Sequence, residues 1–269
     1  MRQAPREFEL KLEIAPRDVQ RIKRRLGHLS THDPVRQTLV SVYFDTPDLS
    51  LRCGGVSLRV RRIGKNHVQT IKLANAPTVG LFDRAEWEHP IRGSKPDLAL
   101  ARGTAVDPLL HGKFAKSLRP VFETRVRRAS YRLARRGLRI EATLDQGVVA
   151  AGKRRSSLCE LELELLRGEP DALFEVAKAL GEVAPVRLCV KSKADRGYEL
   201  LGTEGGTAQT AAKVHLSPKA TTSDAFRVIG RQCLGQLIAN ESAMLAGDAE
   251  ALHQMRIALR RLRAAISVF

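Results

Sequence analysis

Residues 7–14 read Glu-Phe-Glu-Leu-Lys-Leu-Glu-Ile, every odd position charged and every even one apolar. A two-residue period puts all the charges on one face of an extended strand, whereas a helix would scatter them around its axis. The chain therefore has to bury one face of this strand and find a use for the other. The same alternation recurs over 38–44, 57–63, 68–73, 84–91, 123–133, 138–145 and 158–166. Its charged positions are Arg59/Arg61, Lys72, Arg84/Glu86/Glu88, Glu123/Arg125/Arg127, Arg139/Glu141/Asp145 and Glu160/Glu162/Glu164. Eight such strands are enough to close an antiparallel barrel. Helical spacing is confined to inserts over 16–29, with Val19, Ile22 and Leu26 on one face, and 170–180, with Leu173, Val176 and Leu180. The predicted class is α+β, an eight-stranded antiparallel β-barrel with flanking helices, occupying residues 1–202.

Residues 203–222 shift to Gly, Thr, Ala and Lys and read as a linker, with a short extended piece over 213–216. The period then becomes helical over 223–269. Ser223 or Asp224 caps a helix running to about Ala246, Gly247 stops it, and a second runs from about Ala249 to the last residue. Met255, Leu259, Leu262, Ile266 and Phe269 form an apolar stripe that calls for partner helices, so this part is read as the start of a larger all-α domain.

Charge narrows the function. Lys and Arg number 46 against 29 Asp and Glu, a formal +17, which calls for a polyanionic partner. Only 4% of residues are aromatic, which argues against nucleic acid, since single strands and RNA are usually held by base stacking. No stretch approaches the ~18 apolar residues of a membrane span and the first residues lack a signal-peptide core, so no membrane partner and a cytoplasmic location are expected. The four cysteines show no metal or disulfide spacing.

The charges are sorted by sign, acids on the first and last long strands and paired arginines between them, as a site requires and a solvent face does not. Turned inward, they make a hydrated tunnel. Glu7 with Glu9 and Glu162 with Glu164 would present four carboxylates, hard oxygen ligands for Mg²⁺ or Mn²⁺. Lys11, Arg59, Arg61, Lys72, Arg84, Arg125 and Arg127 would supply donors for several phosphates in a row. That is equipment for phosphoryl transfer.

Glu7-Phe8-Glu9-Leu10-Lys11 also resembles the E-x-E-x-K signature of the CYTH, or triphosphate tunnel metalloenzyme, family. In the family's order follow Tyr43-Phe44-Asp45-Thr46-Pro47, the run 57–62, Thr70-Ile71-Lys72, Arg84-Ala85-Glu86-Trp87-Glu88, the run 124–128, the alternating acids of 160–165 and Lys193-Ala194-Asp195-Arg196-Gly197-Tyr198. The resemblance implies metal-dependent hydrolysis of a linear triphosphate. On it, Glu7, Glu9, Glu162 and Glu164 hold metal with Asp145 or Glu160 as helpers. Lys11, Arg59, Arg61, Lys72, Arg84, Arg125, Arg127, Lys193 and Arg196 clamp phosphates, and Glu7, Glu9, Lys11 and Lys72 lie nearest the chemistry. Whether Glu160 or Glu164 is a ligand stays open, as does the general base. Relatives act on thiamine, nucleoside and RNA triphosphates or form cyclic AMP; inorganic tripolyphosphate is the expectation here, with a non-catalytic polyphosphate binder as the rival. Residues 253–263 resemble the start of a CHAD domain, which implies polyphosphate binding by His253, Arg256, Arg260 and Arg263 along one helical stripe.

Overall fold

The computed structural model describes residues 6–73, 80–107, 114–202 and 208–269, with the side chain of Arg6 left aside. Part of the expected linker, 203–207, lies outside the described residues.

The alternating segments form strands β1 (Arg6–Ile14), β2 (Val35–Asp45), β3 (Val56–Ile63), β4 (Asn66–Leu73), β5 (Leu81–Ile91), β6 (Arg119–Arg135), β7 (Leu138–Ala151) and β8 (Arg154–Arg167). They join in the order β5-β4-β3-β2-β6-β7-β8-β1, every pair antiparallel, and β1 returns to β5 to close the barrel. A ninth strand, β9 (Val186–Leu188), which the alternation does not announce, extends β1 past the end of β5. Closure leaves the eight strands no free edge, which removes an aggregation hazard and encloses whatever the inner faces carry.

The apolar faces point outward into packed layers. Leu10, Leu12 and Ile14 of β1 join Ala129, Tyr131, Leu133, Ile140, Ala142, Leu144, Leu161 and Leu163 in one cluster. Helices α1 (Val19–Leu29) and α4 (Asp171–Gly181) cover it with Val19, Ile22, Leu26, Leu173 and Leu180. A second cluster on the opposite side, around Phe44, Leu58, Val60 and Ile71, is closed by α2 (Ser50–Cys53) through Leu51 and by Ala101 and Val106. A short α3 (Phe114–Ser117) precedes β6.

One end of the barrel is closed by α5 (Lys193–Leu201), where Tyr198 packs with Tyr43, Phe122, Val149 and Ala151. Three devices hold this helix. Ser192 and Asp195 form a reciprocal capping box at its start. The Tyr198 hydroxyl donates to the buried carboxylate of Asp45 at 2.8 Å, which also accepts the backbone N–H groups of Thr46, Leu51 and Arg52. Gly197 lies flat against Phe122, whose ring would stand 2.1 Å from a Cβ at that position.

Beyond the barrel, 213–216 belongs to no strand or helix, and α6 (Thr222–Leu245) and α7 (Ala249–Val268) pack as a pair. The cap of α6 is Thr221, in a box with Asp224, rather than Ser223 or Asp224. The apolar stripe of α7 meets α6 only in part: Phe269 packs on Phe226 with ring centroids 5.6 Å apart, but Leu259 and Ile266 are exposed, while Ala251, Gln254, Ala258 and Ala265 are buried. Small residues let the two helices approach, and Gln236 of α6 donates to Gln254 Oε1 at 2.9 Å across the seam. No helix among the described residues is long and apolar enough to cross a membrane.

Candidate active site

Register decides which charges meet inside the barrel. Across β1, β8 and β7, Glu9 stands opposite Glu164 and Glu164 opposite Glu141; Lys11 opposite Glu162 and Glu162 opposite Thr143; Glu13 opposite Glu160 and Glu160 opposite Asp145. On the other side Glu7 faces Arg84, Lys72 lies between Glu86 and Ser57, and Arg59 lies between Thr70 and Tyr43. These inward residues surround a cavity of about 270 Å³ lined by Glu7, Glu9, Lys11, Arg59, Arg61, Lys72, Arg84, Glu162, Glu164 and Lys193 among others. Ten of the residues singled out from the sequence therefore share one chamber.

Most of these charges neutralise one another. Glu7 pairs with Lys72 at 2.7 Å and Arg84 at 3.1 Å, and Arg84 also reaches Glu9 at 2.6 Å. Lys11 lies 2.5 Å from Glu162 and 3.3 Å from Glu9. Burial alone would discharge these groups, and opposite charges reverse that. Lys11 is held well above and Glu162 well below its ordinary range, the partners outweighing a large desolvation cost.

Two places are left unbalanced. The row Glu9, Glu164, Glu141 sets three carboxylates side by side, an arrangement that is repulsive across strands. Neither Glu164 nor Glu141 has an ion pair with a described residue, and burial together with Glu7, Glu9, Glu141 and Glu86 pushes the Glu164 carboxyl up to about 7. Opposite in sign is Arg61, whose only hydrogen bond among described residues is a long one, Nε to Ser41 Oγ at 3.4 Å. Burial and the neighbouring Arg59 and Arg128 lower it to about 10. The chamber thus has an acidic pole short of a cation and a basic pole short of an anion.

The donor set at the acidic pole, four carboxylates from β1, β7 and β8 with no cation beside Glu164 and Glu141, suits a hard divalent ion. A second group, Asp145, Glu160 and Glu162, has oxygens within 4.8 Å of one another, the tighter cluster by distance alone. It is already filled: Lys193 lies 2.8 Å from Asp145 and 2.9 Å from Glu162 and also bonds Glu160, while Arg128 forks onto Asp145 at 2.7 and 2.6 Å. Charge, not spacing, favours the row with Glu164.

Three expected phosphate clamps are elsewhere. Arg125 and Arg127 are exposed on the outer face of β6, where Arg125 pairs with Glu123 at 2.8 Å, and the residue of that run which enters the cavity is Arg128. In Thr-Arg-Val-Arg-Arg either phase offers arginines, and one step changes the face. Outward Tyr131 and Leu133 fix the odd positions outside and Arg128 inside. Arg196 reaches Glu13 at 3.2 Å and the Cys189 sulfur at 3.4 Å, away from the cavity. Asp145 is fully buried and does not line the cavity either. Glu141 stood among the alternating charged positions, on the inner face shared with Asp145, without a site role; Tyr43, seated opposite Arg59 and stacked on Phe122, stood only as part of the motif over 43–47, also without a site role.

His253, Arg256, Arg260 and Arg263 do share one exposed face of α7, bordering an open recess with Ile257 and Leu259.

Residues 5–198 match the CYTH domain family and residues 228–269 the CHAD domain family. The chain is 30% identical over 199 residues to an inorganic triphosphatase of Haemophilus influenzae, an alignment covering 74% of this chain and 55% of that protein. It thus spans about half the length of that relative. A solved structure from Hippeastrum, of a protein named as a candidate adenylyl cyclase with a dominant triphosphatase activity, superposes with a TM-score of 0.56 at 20% identity, over 72% of this chain and 95% of that one. The closed charged barrel and the match over most of its length agree: the chain belongs to the CYTH family, with a segment that matches the CHAD domain family behind the barrel.

Proposed function

We propose that this chain is a cytoplasmic hydrolase that cleaves inorganic tripolyphosphate to pyrophosphate and phosphate with Mg²⁺ or Mn²⁺, the reaction residing in residues 1–202 and an accessory polyanion-binding role in 223–269. One observation carries the reading: a single cavity of about 270 Å³ holds two carboxylates, Glu164 and Glu141, with no cation among the described residues and an arginine, Arg61, with no ion pair among them. A divalent cation complexed with a short phosphate chain meets both needs at once. The family match and the name of the Haemophilus influenzae relative support the choice of an inorganic triphosphate.

Glu7, Glu9, Glu164 and Glu141 would hold the cation, which when bound neutralises phosphate oxygens and sharpens the electrophilicity of phosphorus. The remaining work belongs to the chain's own side chains. Arg61 and Arg59 fork onto the phosphate chain, joined by Arg128, and their fixed positions cost no reorganisation as negative charge shifts toward the leaving group. Lys72 and Arg84 already pair with carboxylates, so they tie the phosphate end of the cavity to the acidic end and set its register. The described walls offer Ser57, Thr143 and Tyr43 but, among the described residues, no broad aromatic platform on which a base or thiazole ring would stack.

The test is phosphate release from tripolyphosphate, thiamine triphosphate and ATP in parallel, each with Mg²⁺, with Mn²⁺ and with chelator. Chelator-sensitive release confined to tripolyphosphate is expected. Release mainly from an organic triphosphate would reassign the substrate, and no release from any would sink the hydrolase in favour of a binding protein or, if cyclic AMP forms, a cyclase.

A further inference from the structure

We propose that α1 carries a binding site for linear polyphosphate on the outside of the barrel, formed by Arg21, Arg24, Arg25 and His28 beside the end of α4. The inference goes beyond the hydrolase reading and does not rest on it.

The outward stripe of α1 repeats one chemistry. Arg17, Arg21, Arg24 and His28 follow at intervals of four, three and four residues and are all exposed, while Val19, Ile22 and Leu26 bury the opposite face in the core. Arg25 flanks the stripe and is partly buried. Arg21, Arg24, Arg25 and His28 meet Val183, just beyond α4, around an open recess of about 400 Å³. Positions 21 to 28 span about 10 Å along a helix axis, so the donors form a row rather than a ring around one small ion.

Helix stability does not account for this row. Arg21 stands three residues from Arg24 and four from Arg25, spacings at which like charges weaken a helix. Arg21 also lies in the first turn, where the helix dipole disfavours a cation. Nor do nearby acids satisfy the arginines. Asp18 lies 3.5 Å from Arg21 and 3.7 Å from Arg17, and Glu182 lies 3.5 Å from Arg25. These are single contacts outside the range of about 2.7–2.9 Å for a charge-assisted hydrogen bond. Arg24 and His28 have neither an ion pair nor a side-chain hydrogen bond among the described residues. Arg25 Nε is buried with no hydrogen-bond partner among them, a cost that an incoming acceptor removes.

Guanidinium forks match phosphate oxygens, and the His28 ring adds an N–H donor at the end of the row. Among the described residues Val183 is the only apolar one at the recess, and no aromatic ring lines it. An acidic peptide would lack apolar anchors there, and a single-stranded nucleic acid would lack a stacking platform. A chain that is phosphate throughout needs neither.

The test is fluorescence anisotropy of end-labelled long-chain polyphosphate with the full chain, in chelator so that no turnover intervenes. The background variant is Arg61→Ala/Arg256→Ala/Arg260→Ala, which weakens the barrel cavity and the α7 stripe as competing sites. Adding Arg21→Gln/Arg24→Gln/Arg25→Gln should raise Kd at least ten-fold. Adding Lys65→Gln/Arg92→Gln/Lys95→Gln, which removes as much charge from exposed positions around β3–β5, should change it by less than about three-fold. Equal losses in the two triples would show that binding follows net charge and would overturn the site, as would no binding in the background. If the α1 triple fails to fold, Arg24→Gln decides, with a three-fold loss expected against none for Lys65→Gln. Duplex DNA bound more tightly than polyphosphate, with the same dependence on α1, would overturn the partner.

Discussion

Glu164 lies between Glu9 and Glu141 across adjacent strands with no described cation at hand, and its carboxyl is pushed up to about 7. Its folded pKa exceeds the unfolded one, so without metal the native state holds a proton that the unfolded chain has released between the ordinary glutamate range and about 7. The metal-free protein therefore loses stability as pH rises through that window, and the penalty stays above it. Glu164→Gln should remove the decline, leaving the variant more stable than wild type at pH 8 in chelator by about 1 kcal/mol after allowance for partial exposure. Denaturant titrations at pH 5 and 8 check this, and a wild-type difference that persists in the variant would show the cause to lie elsewhere. At the basic pole the arginines should separate by face. Arg61→Ala and Arg128→Ala should each raise KM for tripolyphosphate by about ten-fold or more, since each removes a charge-assisted hydrogen-bonding group worth about 1.5–3 kcal/mol. Arg127→Ala, on the outer face, should leave it unchanged; kinetics on the three variants will show whether β6 has the observed phase.

At the level of elements, the eight strands were legible because each carries two faces of opposed chemistry, and closure followed from their number. Their inward charges on β1, β3, β4, β5 and β8 could be named from alternation alone. The phase of β6 could not, because arginines occupy both faces of 125–128 and only packing of Tyr131 and Leu133 outside decides it. β9 is three residues long, too short to show a period, and α5 was visible as a motif without the reason that makes it a plug. On α7 the stripe read as calling for partner helices is largely exposed, and the buried seam with α6, made by residues such as Ala258 and Gln254, is too small and polar to show as an apolar period. The role of α5 as a plug is testable through its tightest contact: Gly197→Ala would put a methyl 2.1 Å from the Phe122 ring and should destabilise the fold by about 1–3 kcal/mol, the range of an overpacked core. A thermal melt indistinguishable from wild type would mean that α5 yields there without cost.

The whole molecule carries a formal +17, and the cavity itself holds carboxylates and cations side by side. Such a field steers polyanions toward the cavity at rates that fall with salt. The exposed stripe His253, Arg256, Arg260, Arg263 belongs to the same field, and replacing Arg256 and Arg260 by Ala should lower retention on immobilised polyphosphate several-fold while tripolyphosphate turnover stays at the wild-type rate. Equal retention would make the stripe a solvated face. On the proposed function the metal and the phosphate chain complete one charge balance, so each should strengthen the binding of the other. An initial-rate matrix with Mg²⁺ and tripolyphosphate varied together addresses this directly. We expect no turnover in chelator and a KM for tripolyphosphate that falls at least ten-fold as free Mg²⁺ rises. Hydrolysis that persists in chelator, or a KM indifferent to Mg²⁺, would contradict it.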